Sequence, residues 1–305
     1  MRNTLADSLK GGAILLVVVG HVIQVIHGST VKCLENELYI AIYSFHMPIF
    51  VLVSGYFASK SLECRNFQAF CWRRAQRLLV PFFTWAVILY FQHKLHDGEY
   101  LKALMSPLAA FKSIIAPIHG LWFLWALFWV SVIAAAFSIS RRNTIVVGLL
   151  VCGVSFAIGN DQYFGLRFIL WLLPFFVLGY WVKRLRLSIK PWKIPVAIIL
   201  FGSAWVMLLP YYSNRHFIYT TGMIDRGVGI DFVGLAYRYV LAFLGCGTFW
   251  GVMGIVDRYG GVLGRFFVYL GGRSIQIYAI HFFFIPYCLI GANGGVSMFR
   301  VLIAT

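Results

Sequence analysis

A chain of 305 residues that is 61% hydrophobic and 12% charged does not have the composition of a soluble domain, in which about 25% of residues carry charge. The net charge of +16 is typical of nucleic-acid-binding proteins, but the sequence contains no basic and aromatic recognition module, so we predict no nucleic acid as a partner. The composition predicts a polytopic membrane protein instead, whose positive residues hold its cytoplasmic loops in place.

The apolar runs predict an all-α membrane protein with about ten transmembrane helices in a single bundle. The predicted spans are residues 11–28, 38–58, 78–93, 119–138, 144–159, 166–182, 194–210, 230–252, 274–290 and 296–305. The last of these is too short to cross a bilayer, so we expect it to be either incomplete or re-entrant. Residues 1–305 are predicted to form one integral-membrane domain.

The distribution of positive charge predicts the orientation of the chain. If the N-terminus lies in the cytoplasm, most of the 26 lysines and arginines fall on the cytoplasmic side, as the positive-inside rule requires. The segments 73–77 and 183–193 carry the strongest part of this bias. We therefore expect a multi-pass protein with a cytoplasmic N-terminus.

The first two spans each contain a histidine well inside an apolar run, His21 and His46. An ionisable side chain within a membrane span indicates a functional site, because burying it in lipid is unfavourable. Lys10 lies eleven residues before His21, within about 20° of the same helix face and about 16 Å away along the axis. Asp7 precedes Lys10 by one turn, so the two side chains can pair.

The third span begins with Arg73, Arg74 and Arg77, whose three- and four-residue spacing brings the guanidinium groups to one helix face. Arginine holds phosphate through forked hydrogen bonds, which favours a phosphorylated ligand at this position. Anchoring of the helix by the positive-inside rule explains the same residues without a ligand. Both interpretations stay open from the sequence alone.

Two later spans carry further candidates. Trp122 lies in an aromatic run that is typical of an interface belt and of core packing. In the ninth span, Ser274, Tyr278 and His281 share one helix face. The preceding Gly-Gly-Arg-Ser segment places Arg273 and free backbone N–H groups at a helix N-terminus, which suits an anion. The alternative interpretation is a polar seam between helices.

Several other classes of site are absent from the sequence. It contains no P-loop and no paired carboxylates within a span, which argues against a carboxylate-driven proton pump. The six cysteines stand singly, without metal-ligand or redox spacing, so we predict no metal site.

Taken together and in this order, these stretches resemble the membrane-bound acyltransferase-3 family, and within it the bacterial sugar O-acetyltransferases of the fucose 4-O-acetylase-like group. The resemblance rests on Asp7-Ser8-Leu9-Lys10 before His21, Phe45-His46-Met47-Pro48, Ser54-Gly55-Tyr56-Phe57, Arg74-Ala75-Gln76-Arg77 with Pro81, Leu121-Trp122-Phe123-Leu124, and Leu270-Gly271-Gly272-Arg273-Ser274 with Ile277, Tyr278 and His281. Each motif alone is weak, but the ordered set is specific and covers most of the chain.

The resemblance implies transfer of an acyl group, usually acetyl from acetyl-CoA, to a hydroxyl of a surface carbohydrate such as O-antigen or of its lipid-linked precursor, by a protein of the bacterial inner membrane. The catalytic residues it implies are His21, Lys10 and Asp7; those of the acetyl-CoA site are Arg73, Arg74, Arg77, Arg273, Ser274 and Tyr278; those of the saccharide site are His46, Trp122 and His281. The partners implied are acetyl-CoA, the saccharide acceptor and membrane lipid. Lys10 stands where the family often has arginine, so the charge is kept but the bidentate fork is lost.

Two other functions are compatible with the sequence. A secondary transporter or exporter of a glycan or polar metabolite would also have many spans and buried histidines, although no similarity between two halves is present. A non-enzymatic scaffold would leave His21 and His46 without a purpose. Within the acyltransferase hypothesis, His21 acts either as general base or as acyl carrier.

Overall fold

The computed structural model describes residues 4–27, 30–62, 66–96, 121–136, 165–185, 193–216, 224–225, 229–230 and 232–293. Its α-helices are α1 (Thr4–His27), α2 (Thr30–Cys33), α3 (Glu37–Leu62), α4 (Phe67–His96), α5 (Trp122–Ala136), α6 (Leu166–Arg184), α7 (Lys193–Leu208), α8 (Phe232–Tyr259), α9 (Val262–Gly272) and α10 (Ser274–Asn293). Two 3-10 turns follow α7, at Leu209–Tyr211 and Asn214–His216. The strands β1 (Ile224–Asp225) and β2 (Gly229–Ile230) form a short antiparallel pair.

Among these helices, five stretches are long and apolar enough to cross a membrane: Thr4–His27, Glu37–Ser59, Leu166–Arg184, Lys193–Tyr211 and Val233–Tyr259. The predicted all-α membrane fold is thereby confirmed, with the small β1–β2 pair as its one exception in the described part of the chain. The number of about ten spans stays a prediction, because the spans predicted at 144–159 and 296–305 lie outside the described residues.

Several helix boundaries differ from the prediction, and one helix was missed. Helix α4 begins at Phe67 rather than at residue 78, so the arginine segment forms its early turns, as the shared helix face of these residues predicted. Helix α9 was not predicted, because its 11 residues are too few for the run of about 20 apolar residues that marks a span.

Glycines let two pairs of helices pack with their backbones in contact. A Cβ atom at Gly55 of α3 would overlap the carbonyl oxygen of Phe176 in α6, and one at Gly179 of α6 would overlap that of Leu52 in α3. The same holds between α1 and α9, where Gly271 lies against the carbonyl oxygen of Asp7. Such small-residue contacts are characteristic of helix packing in membranes.

Gly179→Ala is expected to destabilise the protein by about 1–3 kcal/mol, because the added methyl group forces α3 and α6 apart. The measurement is the thermal midpoint of the detergent-purified protein. Gly254→Ala in α8 is the matched control, since a Cβ there meets nothing within 4 Å and alanine favours a helix. Equal midpoints for Gly179→Ala and the parent protein would show that these backbones are not in contact.

Several helix ends meet at one end of the bundle. Thr4 and Ser8 at the start of α1 each donate a hydrogen bond to a different carboxylate oxygen of Asp257 near the end of α8, both at 3.1 Å. Lys183 at the end of α6 donates to the Tyr56 hydroxyl near the end of α3, at 3.3 Å. We call this the cationic end, because it carries Lys10, Arg73, Arg74, Arg77, Lys183, Arg184 and Arg258.

Candidate active site

A cavity of about 800 Å³ lies at the cationic end, among α1, α3, α4, α5 and the junction of α9 with α10. Small-molecule sites typically have volumes of about 300–1,000 Å³. Its polar lining includes Lys10, Ser54, Arg73, Arg74, Gln76 and Arg77, and its apolar lining includes Phe50, Phe57, Phe70, Phe123, Leu124 and Leu127. The lining therefore combines four cations with walls that are largely aromatic and aliphatic.

Four cations line the cavity. Arg73, Arg74 and Arg77 all line it, so the predicted convergence on one face is present in the geometry. The Arg74 guanidinium donates to the Ser54 hydroxyl at 3.3 Å and lies over the Phe70 ring, 5.5 Å from its centroid. Lys10 forms the predicted ion pair with Asp7, at 2.6 Å between Nζ and Oδ1. The role of these cations in binding a ligand stays a prediction.

The Ser54–Phe57 segment of α3 supports the cavity through each of its residues. Ser54 accepts the hydrogen bond from Arg74, and Gly55 allows α6 to approach. Tyr56 accepts the hydrogen bond from the Lys183 ammonium at the end of α6. The Phe57 ring lies 5.6 Å from the Lys10 Nζ. A motif that is short in sequence thus joins four helices.

The glycine-rich segment before α10 forms another part of the wall. Gly271, Gly272 and Ser274 line the cavity together with Tyr278. Arg273 does not belong to this lining; its guanidinium lies over the Tyr269 ring, 3.8 Å from the centroid. Of the residues predicted for the acetyl-CoA site, Arg273 is thus the one that the described cavity does not include.

Tyr278 connects the cavity with the buried histidines. It lines the cavity beside Phe123, with 5.9 Å between the ring centroids. On its other side it contacts His281, at 5.7 Å between centroids. The His281 ring in turn lies 5.1 Å from the His21 ring. The three side chains form a continuous line from the cavity to His21, and we call them the histidine line.

His21 makes a close polar contact with Gln24 on its own helix. Its Nδ1 atom lies 2.7 Å from the Gln24 Oε1 atom, and the Gln24 Nε2 atom donates to the Tyr39 hydroxyl at 2.8 Å. Lys10 lies about 16 Å from His21 along the axis of α1, and Asp7 lies one turn farther away. Neither side chain therefore contacts His21. The two residues predicted to be catalytic with His21 are therefore found with the cations of the cavity instead.

His46 is buried on α3 and donates from Nδ1 to the Ile42 carbonyl oxygen at 2.8 Å. Its ring lies 4.6 Å from that of Tyr43, which meets the His21 ring edge-on at 6.5 Å. Tyr43 therefore stands between the two histidines that the sequence singled out. His46 belongs to the surroundings of His21, while its predicted contact with substrate stays a prediction.

Trp122 does not line the described cavity; it packs near the start of α6, whose other end lies at the cationic end. Its ring packs against Phe168 near the start of α6, with 4.4 Å between the centroids. The Arg167 guanidinium lies over the same phenylalanine, 4.7 Å from its centroid. The adjacent residue Phe123, rather than Trp122, lines the cavity.

Sequence reasoning missed Gln24, Tyr39 and Tyr43, which contact His21 or hold its partner. Gln24 gave one usable signal, since it is a polar residue three positions after His21 within an apolar span, and such a pair faces one side of a helix. The two tyrosines gave none, because aromatic residues are frequent throughout this chain. In the described part of the chain, no group of three or more His, Cys, Asp or Glu side chains is arranged to hold a metal ion.

These features define a class: a helical membrane protein whose cationic cavity connects to a pair of adjacent imidazoles, those of the half-buried His21 and the buried His281. Comparison with known families identifies it further, since a family profile described as an acyltransferase domain matches residues 5–290. The chain belongs to the acyltransferase-3 family, as its motifs predicted.

Two relatives with curated descriptions are similar over part of their length. Nodulation protein NolL of Sinorhizobium fredii is 30% identical over 188 residues, which cover 59% of this chain and 48% of the relative. Nodulation protein NolL of Mesorhizobium japonicum is 28% identical over 160 residues, covering 51% and 42%. The chain thus spans about half the length of the curated relatives it matches. No solved structure matches it.

Proposed function

We propose that this protein transfers an acyl group, acetyl from acetyl-CoA, to a hydroxyl of a surface saccharide or its lipid-linked precursor, such as an O-antigen unit. The observation that carries the proposal is the geometric continuity between two unlike regions. A cavity with four cations leads through Tyr278 and His281 to the His21 imidazole. Membership of the acyltransferase-3 family supports the same chemistry.

The charge distribution of the cavity fits a phosphorylated acyl donor. Arg73, Arg74, Arg77 and Lys10 offer cationic donors to the phosphates, for which arginine forks are well suited. The apolar walls, with Ser274 and Tyr278, suit the flexible arm. Acetyl-CoA, when bound, supplies an activated thioester carbon. Arg273 would join this site only by leaving its position over Tyr269.

The imidazole of His21 has two roles open to it. As a general base, it takes the proton of the acceptor hydroxyl while that oxygen bonds to the acyl carbon and the carbon–sulfur bond breaks. As an acyl carrier, a ring nitrogen bonds the acyl carbon while the carbon–sulfur bond breaks and the thiolate leaves; the hydroxyl oxygen then bonds that carbon as the carbon–nitrogen bond breaks, and the freed ring nitrogen takes the hydroxyl proton. The half-buried position of His21 is compatible with both roles.

The acceptor is proposed to approach from the end opposite the cationic end. His21 lies about 9 Å along the axis from the end of α1, much closer to that end than to Lys10. Trp122 and the aromatic and arginine side chains at the start of α6 lie at the same end. The positive-inside rule then assigns the cationic end and the N-terminus to the cytoplasm. The bacterial sources of the relatives support the inner membrane as the location.

The proposal is tested with sealed inner-membrane vesicles from bacteria that express the protein. Radiolabelled acetyl-CoA is supplied from outside, and label is measured in the carbohydrate fraction. Inside-out vesicles are expected to incorporate label and right-side-out vesicles are not, because the donor site faces the cytoplasm and the donor does not cross lipid. Lack of incorporation in both orientations, with saccharide crossing the membrane in the absence of donor, would favour a transporter and contradict the proposal.

A further inference from the structure

We infer that Gln24 and Tyr39 are positioning residues, which determine which ring nitrogen of His21 is available to react. The inference rests on the proposed function, in which the His21 imidazole is the reacting group. It concerns two residues that no motif in the sequence singled out. Its basis is a chain of two hydrogen bonds that begins on α1 and ends on α3.

The hydrogen bonds fix the tautomer of His21. The Gln24 amide uses its nitrogen to donate to the Tyr39 hydroxyl at 2.8 Å, so its carbonyl oxygen is the atom that faces His21 Nδ1 at 2.7 Å. A carbonyl oxygen only accepts, and Nδ1 must therefore carry the ring proton. In the neutral imidazole the lone pair then resides on Nε2, which becomes the base or the nucleophile.

Tyr39, which accepts the hydrogen bond from Gln24, is itself held in place by its surroundings. It is completely buried, and its ring stacks on Tyr43 with 4.0 Å between the centroids. The backbone N–H of Tyr39 donates to the Asn36 side chain at 3.0 Å, which fixes the first turn of α3. Gln24 is thus oriented by a side chain of another helix, in the way that outer partners orient reactive imidazoles elsewhere.

The Nδ1 atoms of the neighbouring histidines bond backbone oxygens in the described structure. The ring of His281 on α10 lies beside that of His21, but its Nδ1 donates to the Tyr278 carbonyl oxygen at 2.7 Å. On α3, Tyr43 meets His21 edge-on, and His46 behind it donates from Nδ1 to a backbone oxygen. Among the hydrogen bonds described here, the one from His21 to a side chain is that with Gln24, and it is the bond from which we infer the tautomer.

Comparison of kcat with the KM for acetyl-CoA distinguishes a positioning role of Gln24 from a role in donor binding. Gln24→Ala is expected to lower kcat for acyl transfer about 10- to 100-fold, the effect of a misplaced reacting group, and to leave the KM for acetyl-CoA unchanged. Gln24→Glu keeps an acceptor for Nδ1–H and is expected to recover most of the activity. Tyr39→Phe keeps the stacked ring but frees the amide, so an intermediate kcat is expected. Gln68→Ala, at an exposed position near the start of α4, is the matched control.

Nitrogen NMR of histidine-labelled protein gives a readout that needs no substrate. The His21 signals, assigned by their loss in His21→Ala, are expected to show the Nδ1–H tautomer in the parent and a mixture in Gln24→Ala and Tyr39→Phe. Unchanged tautomer and unchanged kcat in Gln24→Ala would overturn the inference. If Gln24→Ala does not fold, unchanged tautomer and unchanged kcat in Tyr39→Phe would overturn the inference instead. Full activity of His21→Ala would overturn the proposed role of His21 instead, whatever the tautomer.

Discussion

His21→Ala is expected to lower the rate of acyl transfer by about 10³-fold or more, while the protein still inserts and folds. General base catalysis alone contributes about 10²–10⁴-fold, and an acyl carrier cannot be replaced by a methyl group. The fold should tolerate the change, because the ring is half-buried and its described side-chain hydrogen bond is with Gln24, one turn away on the same helix.

The measurement is label incorporation in inside-out vesicles at matched protein levels. His27→Ala is the matched control: His27 lies on the same helix, bonds only the Ile23 carbonyl oxygen among the hydrogen bonds described, at 2.9 Å, and belongs to neither the cavity nor the histidine line. The control should retain activity near that of the parent. Retained transfer in His21→Ala would remove the proposed mechanism.

Arg74→Ala/Arg77→Ala is expected to raise the KM for acetyl-CoA about 100-fold or more. A hydrogen bond to a charged group contributes about 1.5–3 kcal/mol, and two guanidinium groups in one cavity offer several such bonds to phosphate. The KM of the saccharide should change little, because the acceptor is proposed to approach from the opposite end. Loss of the Arg74 bond to Ser54 should lower stability only slightly.

Arg258→Ala/Arg265→Ala provides the control with the same loss of charge. Both residues are exposed and neither lines the cavity. If positive charge mattered only for membrane orientation, the two double variants would behave alike. Equal KM values for acetyl-CoA in both would therefore support anchoring of α4 over donor binding.

Local periodicity predicted the features that depend on neighbouring residues of one helix. The pairing of Asp7 with Lys10 followed from a three-residue spacing, and the ion pair is present at 2.6 Å. The shared face of Ser274, Tyr278 and His281 likewise corresponds to three side chains that are buried together. Hydropathy predicted most of the described spans, because a bilayer requires long apolar helices.

Contacts between distant segments were not predictable by the same means. The approach of Gly271 to Asp7 joins two motifs at opposite ends of the sequence, and no periodicity relates them. The bond between Gln24 and Tyr39 depends on the relative register of α1 and α3. Likewise, no motif showed that Trp122 and Arg273 would lie outside the cavity lining while their neighbours Phe123, Gly272 and Ser274 line it; their predicted roles stay predictions.

The most direct test of the account is whether the cavity binds a phosphorylated acyl donor. We would measure the thermal midpoint of the purified protein with coenzyme A and, separately, with pantetheine, which has the same thiol arm without phosphates. A ligand that binds the native state raises its stability, by about 2.7 kcal/mol at 100 times Kd. The account predicts a clear increase with coenzyme A, little with pantetheine, and none in Arg74→Ala/Arg77→Ala. No increase with millimolar coenzyme A in well-folded parent protein would contradict it.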